Sequence, residues 1–92
     1  MTEKLIQLIK RIETREETFV LRGAVNKDGE LLILYVRNIS PTDRRYYIDR
    51  YTPDGEFAER TAEDDTVSRA HDKMDAQIRT RGFTEENPML KD

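Results

Sequence analysis

Six apolar residues in a row, Leu31-Leu32-Ile33-Leu34-Tyr35-Val36, stand in a chain of which 38% is Asp, Glu, Lys or Arg. Six are too few for a helix of ordinary length. A turn sequence, Asn26-Lys27-Asp28-Gly29, lies just before them, so the run reads as a strand. Successive side chains of a strand point to opposite faces. Leu31, Ile33 and Tyr35 therefore face one way, and Leu32, Leu34 and Val36 the other. An antiparallel sheet with one wet face alternates apolar and polar residues. This run does not alternate, so both of its faces need a cover, and it is predicted to be a middle strand.

The flanking sequence supplies candidate covers. Thr2 can cap a helix in which Leu5, Leu8, Ile9 and Ile12 share one stripe. Thr14 to Glu17 is charged and apolar-free, and should fray. Thr18 to Val25 reads as a strand with Phe19, Leu21, Gly23 and Val25 on one face and Val20, Arg22 and Ala24 on the other. Gly23 within it signals a bulge or a close backbone approach. Arg44 to Tyr51 reads as a third strand, entered through a loop containing Pro41. Glu56 to Arg60 reads as a short, charge-blunted edge strand after the turn Thr52-Pro53-Asp54-Gly55. Thr61-Ala62-Glu63-Asp64 looks like a capping box. The stripe Val67, Ala70, His71, Met74 and Ile78 then predicts a second helix, which Gly82 ends.

The expected fold is α+β: an N-terminal helix, a three- to four-stranded antiparallel β-meander and a C-terminal helix. Residues 1–83 form one domain, and 84–92 a loose acidic tail in which Met89 and Leu90 have the chemistry to dock. Each helix has a single apolar stripe and covers one patch of sheet. Placed on opposite faces, the helices leave nothing open. Placed on the same face, they leave Val20, Leu32, Leu34, Val36 and Ile48, or the alternate set, as an exposed patch for a partner or a second copy in a homodimer.

Composition narrows the function classes. The chain has no cysteine, one histidine and a formal net charge of -3, so disulfide frameworks and thiol chemistry are excluded. No apolar run approaches a membrane span, and the chain is expected to be soluble and cytoplasmic. His71 sits within the second helix's apolar stripe, where packing is the expected role. No phosphate loop, nucleophile with its base, or zinc-ligand set is present. No enzyme activity, cofactor or metal is expected.

Charge is uneven. Residues 37–51 hold four arginines against two aspartates, while residues 52–92 hold six bases against eleven acids. The acidic half argues against bulk nucleic-acid binding and for a partner with a basic surface. Two candidate contact surfaces follow. The first is the Arg/Tyr strand with its neighbour: Arg37, Arg44, Arg45, Tyr46, Tyr47 and Arg50. Arg and Tyr dominate interface hot spots, and they also stack bases and hold phosphates. The second is the acidic set Asp64, Asp65, Asp72 and Asp75. For both, the plain alternative is structural: tyrosines packed under a helix, charges paired or solvated.

The element order helix-strand-strand-strand-helix is that of double-stranded-RNA-binding domains. Where those carry a lysine-rich start to the last helix, this chain has Glu63, Asp64 and Asp65, which argues against the phosphate-binding part of that function. As a short, cysteine-free, acidic α/β chain without an enzymatic motif, it resembles instead the small anti-CRISPR proteins made by bacteriophages. These include inhibitors of type I surveillance complexes. The resemblance covers length and composition and carries no residue across. It implies a non-enzymatic inhibitor in the host cell cytoplasm that binds a Cas protein or ribonucleoprotein surface and blocks guide-RNA pairing with target DNA. Acidic patches would face the lysine-rich DNA channel, and Arg44, Arg45 and Arg50 would reach RNA phosphate or an acidic patch. The alternative from another class is a small nucleic-acid-binding domain that uses the Arg/Tyr strand.

Overall fold

The computed structural model describes residues 2–86. Its elements are α1 (Thr2–Glu13), β1 (Thr18–Asn26), β2 (Leu31–Ser40), β3 (Asp43–Tyr51), β4 (Phe57–Asp64), α2 (Val67–Arg81) and β5 (Phe83–Glu85). The strands form one antiparallel sheet in the order β4-β3-β2-β1-β5. The apolar run lies on β2, in the middle, and Leu31 to Val36 are all buried. The fold is the expected α+β arrangement with a fifth strand added.

The helices lie on opposite faces. On one, Leu5, Leu8, Ile9 and Ile12 of α1 pack on Val20, Val25, Leu31, Ile33, Tyr35 and Tyr51. On the other, Ala70 and Met74 of α2 pack with Ala24, Leu32, Leu34, Val36, Tyr46, Ile48 and Phe83. The apolar patch expected of a one-sided arrangement is therefore closed. Its five members, Val20, Leu32, Leu34, Val36 and Ile48, are all buried, and the patch gives a second copy no apolar sheet face to cover.

Val20 and Val25 share the α1 face although they are five apart, which strict alternation forbids. A bulge resolves this. Val20 pairs with Tyr35 and Arg22 with Leu34, so Leu21 is the extra residue and the faces exchange there. The bulge thus lies two residues before Gly23, where the sequence suggested one. Gly23 marks the close approach instead: a Cβ there would lie 3.1 Å from Leu5 Cδ1 and 3.3 Å from the Glu86 carbonyl oxygen.

The second helix starts later than its capping letters suggest. Thr61 to Asp64 continue β4, paired to β3 through Ile48–Ala62, Tyr47–Glu63 and Tyr46–Asp64. Thr66 is the N-cap residue of α2, in an extended conformation. Asp64 anchors the start of α2 from the strand side, accepting from the Thr66 N–H at 2.9 Å, Lys73 Nζ at 2.8 Å and Arg69 Nε at 3.2 Å. Lys73 first, then the Thr66 N–H and Arg69, hold its carboxyl well below the usual aspartate range. A depressed folded pKa contributes stability above the ordinary value of 3.8, and that contribution is lost as pH falls toward the lower folded value. Asp64→Asn keeps an acceptor and removes the charge. It is expected to lower Tm by a few degrees at neutral pH. The gap to the parent should close as thermal unfolding is repeated in acid, below the ordinary aspartate pKa.

At the far edge, Gly82 in the left-handed region (φ 73°) turns the chain out of α2. β5 then pairs along Ala24 to Asn26. Thr84 and Glu85 thus belong to the sheet and not to the expected tail; Met89 and Leu90 lie outside the described residues. Arg22 clamps this edge. It donates to Glu85 at 2.7 and 2.8 Å, to Asp75 at 2.6 Å and to the His71 carbonyl at 3.4 Å, and it lies 3.2 Å from His71 Nδ1. Glu85 foremost, with Asp75, raises the Arg22 pKa well above its usual value. Half-buried His71 is therefore part of this clamp.

Candidate functional site

α1 covers only part of its face. Both its first and its last turn are tied to the β3–β4 turn: Lys4 Nζ donates to the Pro53 carbonyl at 3.1 Å, and Arg11 donates to the Gly55 carbonyl. The helix stops at Glu13 and the chain turns through residues 14–17 before β1. Beyond that stop the pairing places Tyr35 beside Tyr47 and Arg37 beside Arg45, with Glu63 of β4 next to Tyr47. These residues share the α1 face where the helix no longer covers it.

A cavity of about 270 Å³ opens there, lined by Arg15, Glu16, Thr18, Tyr35, Arg37, Tyr47 and Arg60. Its base is a buried polar network around Asp49, which is 2% exposed. Tyr35 Oη donates to Asp49 Oδ2 at 2.9 Å, Arg60 Nε donates to Oδ1 at 3.0 Å, and Arg60 Nη2 donates to Tyr35 Oη at 3.1 Å. The Arg60 guanidinium lies 4.1 Å from the Tyr47 ring centroid, a cation–π contact. Tyr47 in turn lies 5.4 Å from Tyr35, centroid to centroid. Arg60 is thus held on two sides. Asp49 is the main reason that its pKa rises above the usual value. Burial first, then Asp49, pushes Tyr35 up to about 12. The same two causes raise Tyr51, whose buried hydroxyl has no hydrogen-bond partner among the described residues. The Thr18 hydroxyl is committed to the Glu16 carbonyl at 3.1 Å.

The rim carries a different signature. Glu17 adopts φ 56°, a left-handed conformation that costs a non-glycine residue roughly 1–2 kcal/mol. Its carbonyl accepts from the Asn38 N–H at 2.9 Å, which pins the loop to β2. A second hollow of about 370 Å³ lies alongside, lined by Glu17, Asn38, Ile39, Ser40, Pro41 and Arg44. Ile39 is 54% exposed there. Arg15, Arg37 and Arg44 are all exposed, and none has an ion-pair or side-chain hydrogen-bond partner among the described residues.

Of the residues expected at the first surface, Arg37 and Tyr47 line the cavity and Arg44 lines the hollow beside it. Arg45 faces Glu63 at 3.9 Å. Tyr46 is core, packed under α2. Arg50 is turned to the α2 side and bridges Glu30 and Glu59; it holds Glu59 below the usual carboxylate range. On the acidic surface, Asp64 is held by Arg69 and Lys73, Asp65 by Arg69 and Asp75 by Arg22, while Asp72 is exposed.

Arg15, Glu16, Thr18, Tyr35 and Arg60 were not picked out by sequence reasoning. The one usable signal was Asp49, an acid that follows the aromatic and apolar run Tyr46-Tyr47-Ile48 and alternates onto the same face as Tyr47 and Tyr51, where burial demands a base from a neighbouring strand. Among the described residues no cluster of His, Asp or Glu is placed to hold a metal ion, and no helix is long and apolar enough to cross a membrane. Comparison with family models, curated proteins and solved structures finds no match to this chain.

Proposed function

We propose that the protein is a non-enzymatic binder that occupies a surface of a protein or ribonucleoprotein partner, and that it does so with the uncovered end of its sheet. One observation carries this reading. Arg15, Arg37 and Arg44 stand at that end without acid partners among the described residues, while Arg22, Arg50, Arg60 and Arg69 each hold at least one carboxylate. A chain with more acids than bases has acids to spare for these three. Guanidiniums left unmatched beside exposed Ile39 have the composition of an interface centre.

The partner surface under this end is anionic, whereas the net charge of -3 favours a partner that is basic elsewhere. A ribonucleoprotein offers both, RNA phosphate set in a basic protein channel. That combination supports an inhibitor of the anti-CRISPR kind acting on a Cas surveillance complex. The rival, a general nucleic-acid-binding domain on the Arg/Tyr strand, is left with fewer free groups: Tyr46 is buried, and Arg45 and Arg50 face carboxylates. The acidic α2 surface is the weaker contact candidate, since three of its four aspartates already hold cations.

The test is target-DNA binding by a purified type I surveillance complex at increasing protein-to-complex ratio. Loss of DNA binding near one equivalent is expected, with recovery when Arg37→Glu/Arg44→Glu replaces the parent. Because both side chains are exposed, the double variant should keep its Tm within a few degrees. DNA binding that survives a large excess of protein rules out this target. Equal inhibition by parent and double variant rules out the surface.

A further inference from the structure

We infer that the cavity at the end of α1 is a receptor for a single nucleotide unit, its phosphate held by Arg15 and Arg37 and its base set against the Arg60–Tyr47 wall. This deepens the binding reading above by naming what the partner inserts.

The lining divides by chemistry. Arg15 and Arg37 are the cations that no carboxylate satisfies among the described residues. Two planar guanidinium forks match the oxygens and the near-double charge of a phosphate monoester better than the single charge of a carboxylate. Arg60 is not available as a further free cation, because Asp49 neutralises it. What Arg60 offers is a flat, immobilised guanidinium backed by Tyr47 at 4.1 Å, and such a surface accepts a planar base. Glu16, the one acid of the lining, repels a bare oxyanion. It requires a donor near the phosphate, which a ribose hydroxyl or an exocyclic amine supplies.

Size and long-range charge agree. A cavity of about 270 Å³ falls just under the range of about 300–1,000 Å³ usual for ligand pockets, which admits one small unit and not a chain. The net charge of -3 disfavours tracking of a polyanion, whose binding rests on many phosphate contacts.

The experiment is an NMR titration of the isotope-labelled protein at low salt with uridine 5′-monophosphate, uridine and inorganic phosphate. Short oligouridylates with and without a 5′-phosphate are further arms. Saturable shifts at the amides of Thr18, Arg37, Tyr47 and Arg60 are expected, strongest for the monophosphate and weakest for uridine. Arg37→Gln should weaken the monophosphate about tenfold, the loss of one charge-assisted contact. Arg79→Gln, on the exposed side of α2, should change nothing. A free nucleotide as the natural occupant predicts that the oligomers bind worse than the monomer; an RNA end predicts equal binding that needs the 5′-phosphate. Unsaturable shifts, shifts unaltered in Arg37→Gln, or an affinity that falls with salt as steeply as several phosphate contacts require would overturn the inference. It is separable from the binding reading. If nucleotide fails to bind but Arg37→Glu/Arg44→Glu still releases the partner, only the receptor assignment falls. If nucleotide binds and the double variant inhibits normally, the surface reading falls and the receptor stands.

Discussion

Leu34→Ala is expected to lower the folding free energy by about 3–4 kcal/mol, within the range of about 2–5 kcal/mol for truncating a buried leucine. Leu34 has 0% exposure. It lies between Arg22 of β1 and Ile48 of β3 in the register, in the cluster that Met74 completes from above. Its place on the middle strand, with ladder partners on both sides, gives the backbone little freedom to collapse into the void. At roughly 0.05–0.15 kcal/mol per residue, a domain of 92 residues has a total stability of about 5–14 kcal/mol, so this one change removes a large part of it. Urea unfolding should show a lower midpoint with an unchanged slope. Phe19→Ala is the contrast: Phe19 is 49% exposed on the same sheet, and its loss should cost under about 1 kcal/mol. A Leu34→Ala loss as small as that would mean that α2 does not pack on this strand.

How far the architecture was legible depended on how local each signal was. The run Leu31 to Val36 announces a middle strand because six apolar residues in a charged chain leave no other reading. The stripe Leu5, Leu8, Ile9 and Ile12 is equally local, and all four are buried. The start of α2 was misplaced because Thr61 and Asp64 satisfy a local capping pattern, while the ladder from Tyr46 to Ile48 claims those residues for β4. β5 is three residues long and has no readable period. It exists because Gly82 turns the chain and Arg22 reaches Glu85 across 63 positions. The stop at Gly82 is legible locally; the reach of Arg22 to Glu85 is a tertiary fact. The bulge at Leu21 reverses faces two residues before Gly23, the only local mark that hinted at one.

The candidate site shows the same division. Arg37, Arg44 and Tyr47 stand out in sequence because arginine and tyrosine crowd one strand and its neighbour. Tyr46 and Arg50 carry the same letters, but alternation sends them to the α2 face, where packing and Glu30 and Glu59 absorb them. Arg15 and Glu16 sit in a charged stretch with no period, and only the point at which α1 stops brings them over the sheet. Arg60 reaches Asp49 because Thr61 is skipped in the β3–β4 register, so that Ala62 pairs with Ile48 and Arg60 with Asp49. In a regular ladder Thr61 would face Asp49 and Arg60 would point to the other face. The cavity wall therefore depends on one irregularity that no composition or periodicity shows.

That dependence makes Asp49 the residue through which stability and the site are joined. Asp49→Ala is expected to cost about 2–3 kcal/mol. Breaking a buried ion pair costs about 3–5 kcal/mol, discounted here because the Arg60 side chain is 43% exposed and can turn to water. Asp49→Asn, which keeps one acceptor oxygen for Arg60 Nε and can turn its amide N–H to the Tyr35 hydroxyl oxygen, should cost less than half as much. The double variant Asp49→Ala/Arg60→Ala should be less destabilised than the sum of the singles, since the two act on one interaction. A tyrosinate titration reads the same network independently. Tyr35 is pushed from 10.0 up to about 12 by burial and then by the Asp49 charge. A raised tyrosine pKa favours the folded state below the unfolded value, and that advantage disappears as pH climbs toward 12. Removing the Asp49 charge lowers the folded value, so absorbance should report tyrosinate at lower pH in Asp49→Asn than in the parent, with the alkaline loss of stability beginning at the same pH but smaller and complete at a lower one. With Arg60 released from Asp49, the wall over Tyr47 loses its fixed orientation, and nucleotide affinity should fall although Asp49 itself does not line the cavity. An Asp49→Asn protein with the parent's alkaline titration and the parent's stability would show that Asp49 and Tyr35 do not share the buried bond on which this wall rests.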